Sequence, residues 1–209
     1  MHWRYRLIDL ITRSNIIAQS LCTLLLSLAQ LSYADQEQAI FAGGCFWCIE
    51  SDFEKIDGVT SAVSGYIGGR IANPSYQQVS SGTTGHTEAV KIAFDSSVIS
   101  YQQLLAHFWA NIDPLDGDGQ FCDRGSQYRS EIFYLNQTQQ QVAQQSLNEL
   151  VASASLPGKI QTAITAASEF YTAEEYHQDY YKKHPTRYTY YRWRCGRDNR
   201  LKQLWEQAR

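Results

Sequence analysis

The segment from Ala39 to Cys48 constrains the fold of this chain more than any other. Ala39-Ile40-Phe41-Ala42 is a short apolar run that stops at Gly43-Gly44, which predicts a strand. Phe46, Ile49, Phe53 and Ile56 then recur at spacings of three and four, which predicts a helix over 46–56, ended by Asp57-Gly58. The two glycines permit an abrupt turn and a close approach of other backbone. Cys45 therefore stands at a helix start, where free amide groups and the helix dipole stabilise an anion. A thiol in that position is expected to have a lowered pKa and to be partly thiolate near neutrality. Cys48 lies one turn along and is a candidate partner for it.

The rest of the chain supplies the order of elements. Val59 to Tyr66 is strand-like, and a polar loop follows from Gly68 to Gly85. Over 87–94, Thr87, Ala89, Lys91 and Ala93 alternate with Glu88, Val90, Ile92 and Phe94, the pattern of a strand. Ser100 with Gln103 forms a capping box for a helix whose apolar face is Tyr101, Leu104, Leu105, Phe108 and Trp109. A second polar loop runs from Asp113 to Gln127, and Ser130 to Leu135 is strand-like. This order is the split βαβ arrangement. A helix near 137–152, a strand near 159–165 and a helix beginning at Thr172, with Glu175 completing a capping box, follow. The aromatic tail from Arg187 to Cys195 reads as irregular. The expected fold is α+β: a two-layer sandwich with a ferredoxin-like βαββαβ core and an irregular C-terminal extension.

Residues 1–34 differ from the remainder. Arg4, Arg6 and Arg13 precede an apolar stretch from Ile16 to Leu31, and Ser32-Tyr33-Ala34 offers small residues at the −3 and −1 positions of a cleavage site. The pattern predicts a secretory signal peptide over 1–34 and one domain over 35–209. Gln19, Ser20, Ser27 and Gln30 interrupt the stretch and make it a poor permanent span, so no stable membrane anchor is expected. Leu21 before Cys22 argues against lipid attachment there. Export to the periplasm or cell envelope is expected if the source is a Gram-negative bacterium. With 18 basic and 21 acidic side chains, the chain carries no nucleic-acid footprint.

Cys45, Cys48, Cys122 and Cys195 remain after the signal segment. Four cysteines in an oxidising compartment often form structural disulfides, but a domain of this size does not need staples. Glu88 shares its strand face with Val90, Ile92 and Phe94, so its carboxyl should have a raised pKa and hold its proton. A neutral carboxylic acid beside a thiolate is a donor–nucleophile pair, able to protonate a departing oxygen. His86, two residues earlier, reads as a structural hydrogen-bonding residue. Two other classes share parts of this pattern. A thioredoxin-like oxidoreductase shares C-x-x-C at a strand-to-helix junction, but it would not need Glu88 and has a different element order. A zinc-stabilised module would want a second close pair of ligands, and Cys122 and Cys195 stand far apart in the chain.

Several motifs together carry a family resemblance. Gly43-Gly44-Cys45-Phe46-Trp47 is joined by Gly65-Tyr66-Ile67-Gly68-Gly69, Asn73-Pro74-Ser75-Tyr76 and Thr84-Gly85-His86-Thr87-Glu88-Ala89-Val90. Phe108-Trp109, Asp113-Pro114 and Asp123-Arg124-Gly125-Ser126-Gln127-Tyr128-Arg129-Ser130 continue the series. The set resembles the A-type peptide-methionine sulfoxide reductases over about residues 38–185, and more loosely to Cys195-Gly196. The resemblance implies that Cys45 attacks the sulfoxide sulfur and Glu88 protonates its oxygen. It implies that Tyr76 and Tyr128 hold that oxygen, that Asp123 orders the site, and that Phe46 and Trp47 receive the methyl group. It implies action on oxidised methionine in proteins, with preference for the S epimer, through a sulfenic acid on Cys45 and then a disulfide. An external thioredoxin-like dithiol would reduce that disulfide, with no metal or organic cofactor and a monomeric enzyme. The chain departs from the commoner pattern at Cys48, where many members have Gly, and at Phe121-Cys122, where Gly-Asn is common. Cys195 resembles the C-terminal resolving position, on a tail expected to be flexible enough to reach Cys45. Asp123 should disfavour a thiolate on neighbouring Cys122, so Cys195 or Cys48 is expected to form the first bridge, with Cys122 as a later relay.

Overall fold

The computed structural model describes residues 36–206; the signal-like segment lies outside the described residues. In chain order the core contains β1 (Gln36–Gly43), α1 (Phe46–Phe53), β2 (Val59–Ile67), α2 (Tyr76–Ser80), β3 (Thr87–Asp95) and α3 (Tyr101–Ala110). A small hairpin of β4 (Gly119–Gln120) and β5 (Asp123–Arg124) precedes β6 (Ser130–Tyr134) and α4 (Gln137–Ala152). Then come β7 (Ala163–Ala166), β8 (Tyr171–Thr172), α5 (Tyr180–Lys183), α6 (Pro185–Cys195) and α7 (Arg197–Glu206). The main sheet has the order β7-β6-β1-β3-β2-β8. Its inner four strands, β6-β1-β3-β2, are antiparallel throughout and reproduce the expected ferredoxin-like core. No described helix is long and apolar enough to cross a membrane.

The alternation seen in the sequence sorts side chains between two faces. Phe41, Val90, Ile92, Phe94 and Ile132 face α1 and α3 and meet Ile49, Phe53, Leu104, Leu105 and Phe108. The Phe41 ring stacks on Phe53, Phe108 and Tyr101 at centroid distances of 5.3, 5.0 and 6.0 Å. Ile40, Ala42, Ala89 and Phe133 point the other way and are covered by Ala167 and Phe170. The period of two thus places Glu88 on the α1 side of the sheet, opposite Tyr66 in the β2–β3 register.

The differences from expectation lie at the end of α1, in the 68–85 loop and in the C-terminal elements. α1 stops at Phe53, earlier than Ile56, and the chain turns through Gly58 at φ +93°. The loop 68–85 contains α2, closed by a capping box of Ser75 and Gln78. The strand near 159–165 is confined to Ala163–Ala166, where it pairs parallel to β6. No helix begins at Thr172. Tyr171–Thr172 pairs with Gly65 and Tyr66, and Glu175–His177 makes one 3-10 turn. The tail expected to be irregular over Arg187–Cys195 is helical. Pro185 in the first turn presets the backbone, and Gly196 ends α6 in the left-handed region at φ +71°.

Candidate active site

The catalytic candidates converge because three elements meet at the end of β1. Gly44 turns the chain at φ +86°, and a Cβ there would lie 2.6 Å from Gln120 Cβ. Only glycine lets the β4–β5 hairpin approach this closely. Cys45 is the N-cap of α1. Glu88 reaches the same point from β3, where its Oε2 accepts the Phe46 N–H at 3.0 Å. Cys45 is 7% exposed, and Glu88 and Cys48 are each 2% exposed.

Burial dominates the electrostatics. It pushes the Glu88 carboxyl up to about 8, with smaller upward pushes from Asp123 and Cys48 and an opposing pull from the Phe46 N–H. Glu88 is therefore mostly protonated at neutral pH. Cys45 departs from the lowered pKa expected of a helix start. Burial, its hydrogen bond to Cys48, and the charges of Cys48, Glu88 and Asp123 hold its thiol well above the ordinary cysteine value. A helix terminus contributes about 2 kcal/mol at best, whereas desolvating an ion costs several kcal/mol. Cys48 moves down, because it accepts the hydrogen bond from Cys45 and feels the Arg197 and Arg192 guanidiniums.

Tyr76 opens α2, and Tyr128 closes the 3-10 turn Ser126–Tyr128. Burial pushes the Tyr76 phenol up to about 12, helped by Glu88 and Cys45. Burial also raises Tyr128, which feels the same two groups. Both hydroxyls are thus held as protonated donors in the field of the thiol and the carboxyl. Asp123, in β5, accepts the Tyr191 hydroxyl, and burial raises its pKa. Its charge is felt by Cys45 and Glu88.

Phe46 is buried, and Trp47 is half-buried beside it, with ring centroids 6.4 Å apart. Three residues that the sequence did not single out, Tyr180, Tyr191 and His177, hold this wall, and a fourth, Glu174, holds the helix beside it. Trp47 stacks flat on Tyr180 at 3.8 Å and meets Tyr191 edge-on at 5.8 Å. Its indole N–H donates to His177 Nδ1 at 3.1 Å. Burial lowers the His177 pKa, so the ring is neutral and can accept that bond. Glu174 accepts both the Tyr66 hydroxyl and the Tyr76 N–H at 2.8 Å, which ties α2 to the sheet. His86 accepts the Gly69 N–H at 3.1 Å, a structural contact within the 68–85 loop.

The cysteines fall into two pairs. Cys45 and Cys48 are free, and Cys122 is disulfide-bonded to Cys195 across 73 residues. Cys122 lies in the turn of the β4–β5 hairpin, after Phe121 at φ +57°. Cys195 ends α6. The flexible tail expected around it is replaced by a pinned helical corner. Arg192 Nη1 lies 2.8 Å from Asp52 Oδ1. Arg197, 2% exposed, donates to the Gly43 and Asn111 carbonyls at 3.2 and 2.6 Å. Its guanidinium also lies 4.5 Å from the centre of the Phe121 ring. Among the described residues two groups have metal-like spacing. In one, the two sulfurs are already bonded to each other. In the other, Glu54 and Asp179 are ion-paired with Lys182 at 2.8 and 2.7 Å.

Comparisons with known proteins fit this geometry. The family model described as peptide methionine sulfoxide reductase matches residues 37–209. The chain is 51% identical over 170 residues to the peptide methionine sulfoxide reductase MsrA of Bacillus licheniformis, covering 81% of this chain and 94% of that one. It is 47% identical over 171 residues to the peptide methionine sulfoxide reductase MsrA/MsrB of Vibrio cholerae, covering 82% of this chain but only 45% of that longer protein. Among solved structures, reduced Mxr1 of Saccharomyces cerevisiae aligns with a TM-score of 0.69 at 29% identity, over 74% of this chain and 89% of that one. Mxr1 in complex with Trx2 aligns at 0.51 and 22% identity, over 71% and 87%, which bears on the fold alone. With the strand-to-helix thiol, the buried carboxyl and the ferredoxin-like sheet in place, the chain belongs to the peptide methionine sulfoxide reductase family.

Proposed function

We propose that this chain reduces the S epimer of methionine sulfoxide in proteins to methionine, repairing oxidative damage. The observation that carries the reading is the buried, protonated Glu88 carboxyl, held at 3.0 Å by the first N–H of the helix that Cys45 caps. An acid and a thiol are thereby fixed on one spot from which water is excluded.

The sulfoxide oxygen is taken up by Glu88, Tyr76 and Tyr128, and the methyl group rests on Phe46 and Trp47. One polar side and one apolar side distinguish the two hands at sulfur. Glu88 protonates the oxygen, which makes the sulfur electrophilic, and Cys45 Sγ attacks it. The Cys45 proton is released to Glu88, methionine leaves, and the oxygen stays on Cys45 as a sulfenic acid. A second thiol then condenses with it to a disulfide and releases water. Cys48 is supported in that role by its hydrogen bond to Cys45 and its lowered pKa, and Cys195 by the family pattern.

An external thioredoxin-like dithiol returns the electrons by exchange through the Cys122–Cys195 couple. Mxr1, whose reduced form aligns with this chain at 29% identity, has been solved with Trx2, and that supports a reductant of this kind. On the same reading residues 1–34 serve as a signal peptide and 35–209 as the catalytic domain, and the enzyme works as an exported monomer, in the periplasm or cell envelope if its source is a Gram-negative bacterium. The test is turnover on separated epimers of peptide methionine sulfoxide with dithiothreitol. Reduction of the S epimer alone is expected, and comparable rates on both would overturn the reading.

A further inference from the structure

We propose that the external thiol opens the Cys122–Cys195 disulfide at Cys122 Sγ and expels Cys195 as the leaving thiolate. The proposal deepens the reading that this pair is the couple reduced from outside. Exchange is an in-line displacement at one sulfur, and its direction depends on access and on which thiolate leaves more easily.

Access favours Cys122. It is exposed at the tip of a two-residue turn between β4 and β5. Cys195 is half-buried, set where α6 ends and α7 begins.

Leaving-group stability favours the same outcome. The Cys122 backbone N–H donates to Cys195 Sγ at 3.1 Å. That amide belongs to the residue under attack and points at the sulfur that departs. As negative charge develops on Cys195, the contact becomes a charge-assisted hydrogen bond, roughly twice as strong as a neutral one.

Two other influences do not decide the matter. Asp123 is close to both sulfurs, with Oδ1 3.8 Å from Cys122 and Oδ2 3.9 Å from Cys195, so its charge opposes either thiolate alike. The negative end of α6 and the positive end of α7 meet on either side of Gly196, and their effects on Cys195 oppose each other.

The step balances as follows. The thiolate of the external dithiol bonds to Cys122 Sγ, and the S–S electron pair leaves with Cys195. The second thiol of the reductant then attacks its own mixed-disulfide sulfur and releases Cys122. Overall the dithiol is oxidised, and Cys122 and Cys195 each gain one electron and one proton. Electrons enter at the exposed sulfur and first appear on Cys195, whose Asp123 neighbour is bound to Tyr191 against Trp47. Cys122 is thus the entry point and Cys195 the inward-facing nucleophile.

The experiment uses the full chain with its disulfide formed. It is mixed with a thioredoxin variant that lacks the second active-site cysteine, so that the mixed disulfide cannot resolve. After acid quenching and alkylation, the peptides are mapped by mass. The mixed disulfide is expected on Cys122, with Cys195 alkylated, in about tenfold excess or more. The same preference is expected with glutathione, because it comes from the surroundings of the disulfide itself. Capture mainly at Cys195, or loss of the preference with glutathione, overturns the proposal. Capture at neither cysteine means a static bridge, and then the reading of this pair as the reducible couple falls as well.

Discussion

Glu88→Gln separates the two consequences of burying a carboxyl beside a thiol. An ordinary Glu releases its proton near 4.5, and Glu88 in the fold releases it near about 8. Each tenfold change in proton affinity corresponds to 1.36 kcal/mol, so ionising Glu88 costs the fold on the order of 5 kcal/mol relative to the unfolded chain. The sign follows from which state binds more protons. Between pH 4.5 and about 8 the folded chain holds this proton and the unfolded chain does not. Stability from Glu88 is therefore full below 4.5, is lost as pH rises through that window, and is level above it. Gln cannot ionise, and its carbonyl can still accept the Phe46 N–H. Its amide brings two new donors, and any left unpaired offsets part of the gain. In urea unfolding, the variant's stability advantage over the parent should grow by about 3.5 kcal/mol from pH 5 to pH 8, with the denaturant slope unchanged. Catalysis moves the other way. Single-turnover sulfoxide reduction should fall at least about tenfold, since general acid help is typically worth about 10²–10⁴-fold. A stability difference that stays flat over this pH range would refute the burial argument. A near-normal turnover would refute the acid role.

Two further outcomes are expected. Cys45→Ser should abolish single-turnover reduction, and peptide mapping of the parent after one substrate equivalent should show Cys45 bridged to Cys48 or Cys195; a map dominated by Cys45–Cys122 would reverse that order. Arg197→Leu should destabilise the fold by about 2–4 kcal/mol in denaturant titration, because it takes the charged donor from the Gly43 and Asn111 carbonyls, while Asp52 keeps its closer partner Arg192; a loss under about 1 kcal/mol would show that Arg197 does not hold the C-terminal corner.

Local patterns in the sequence carried the core and the centre of the site. The apolar run ended by Gly43-Gly44 placed Cys45 at a helix start, and the alternation over 87–94 placed Glu88 on the helix-facing side. The remainder depended on packing. The raised pKa of the Cys45 thiol is hidden from the sequence, because a helix terminus is visible there and desolvation is not. α6 is hard to read although Pro185 and Gly196 bracket it, because Tyr188 is its one buried residue and no apolar stripe marks it. β8 has two residues, too few for any periodicity. His177 and Tyr180 matter through their contacts with Trp47, 130 residues from His177 in the chain. No spacing rule reports such a contact.

The span of the Cys122–Cys195 bridge has a consequence for how long the molecule survives at work. Tying together residues 73 apart removes freedom from the unfolded chain worth about 4 kcal/mol on a loop-entropy estimate. If the bridge opens once per cycle, the protein alternates between a form with that protection and a form without it. The interval spent reduced is then the interval of greatest exposure to proteases, since cleavage follows the population of opened molecules. A plentiful supply of reductant would hasten repair and also lengthen that vulnerable interval. Arg192 and Arg197, anchored on either side of Cys195, keep the corner in register while the covalent tie is absent.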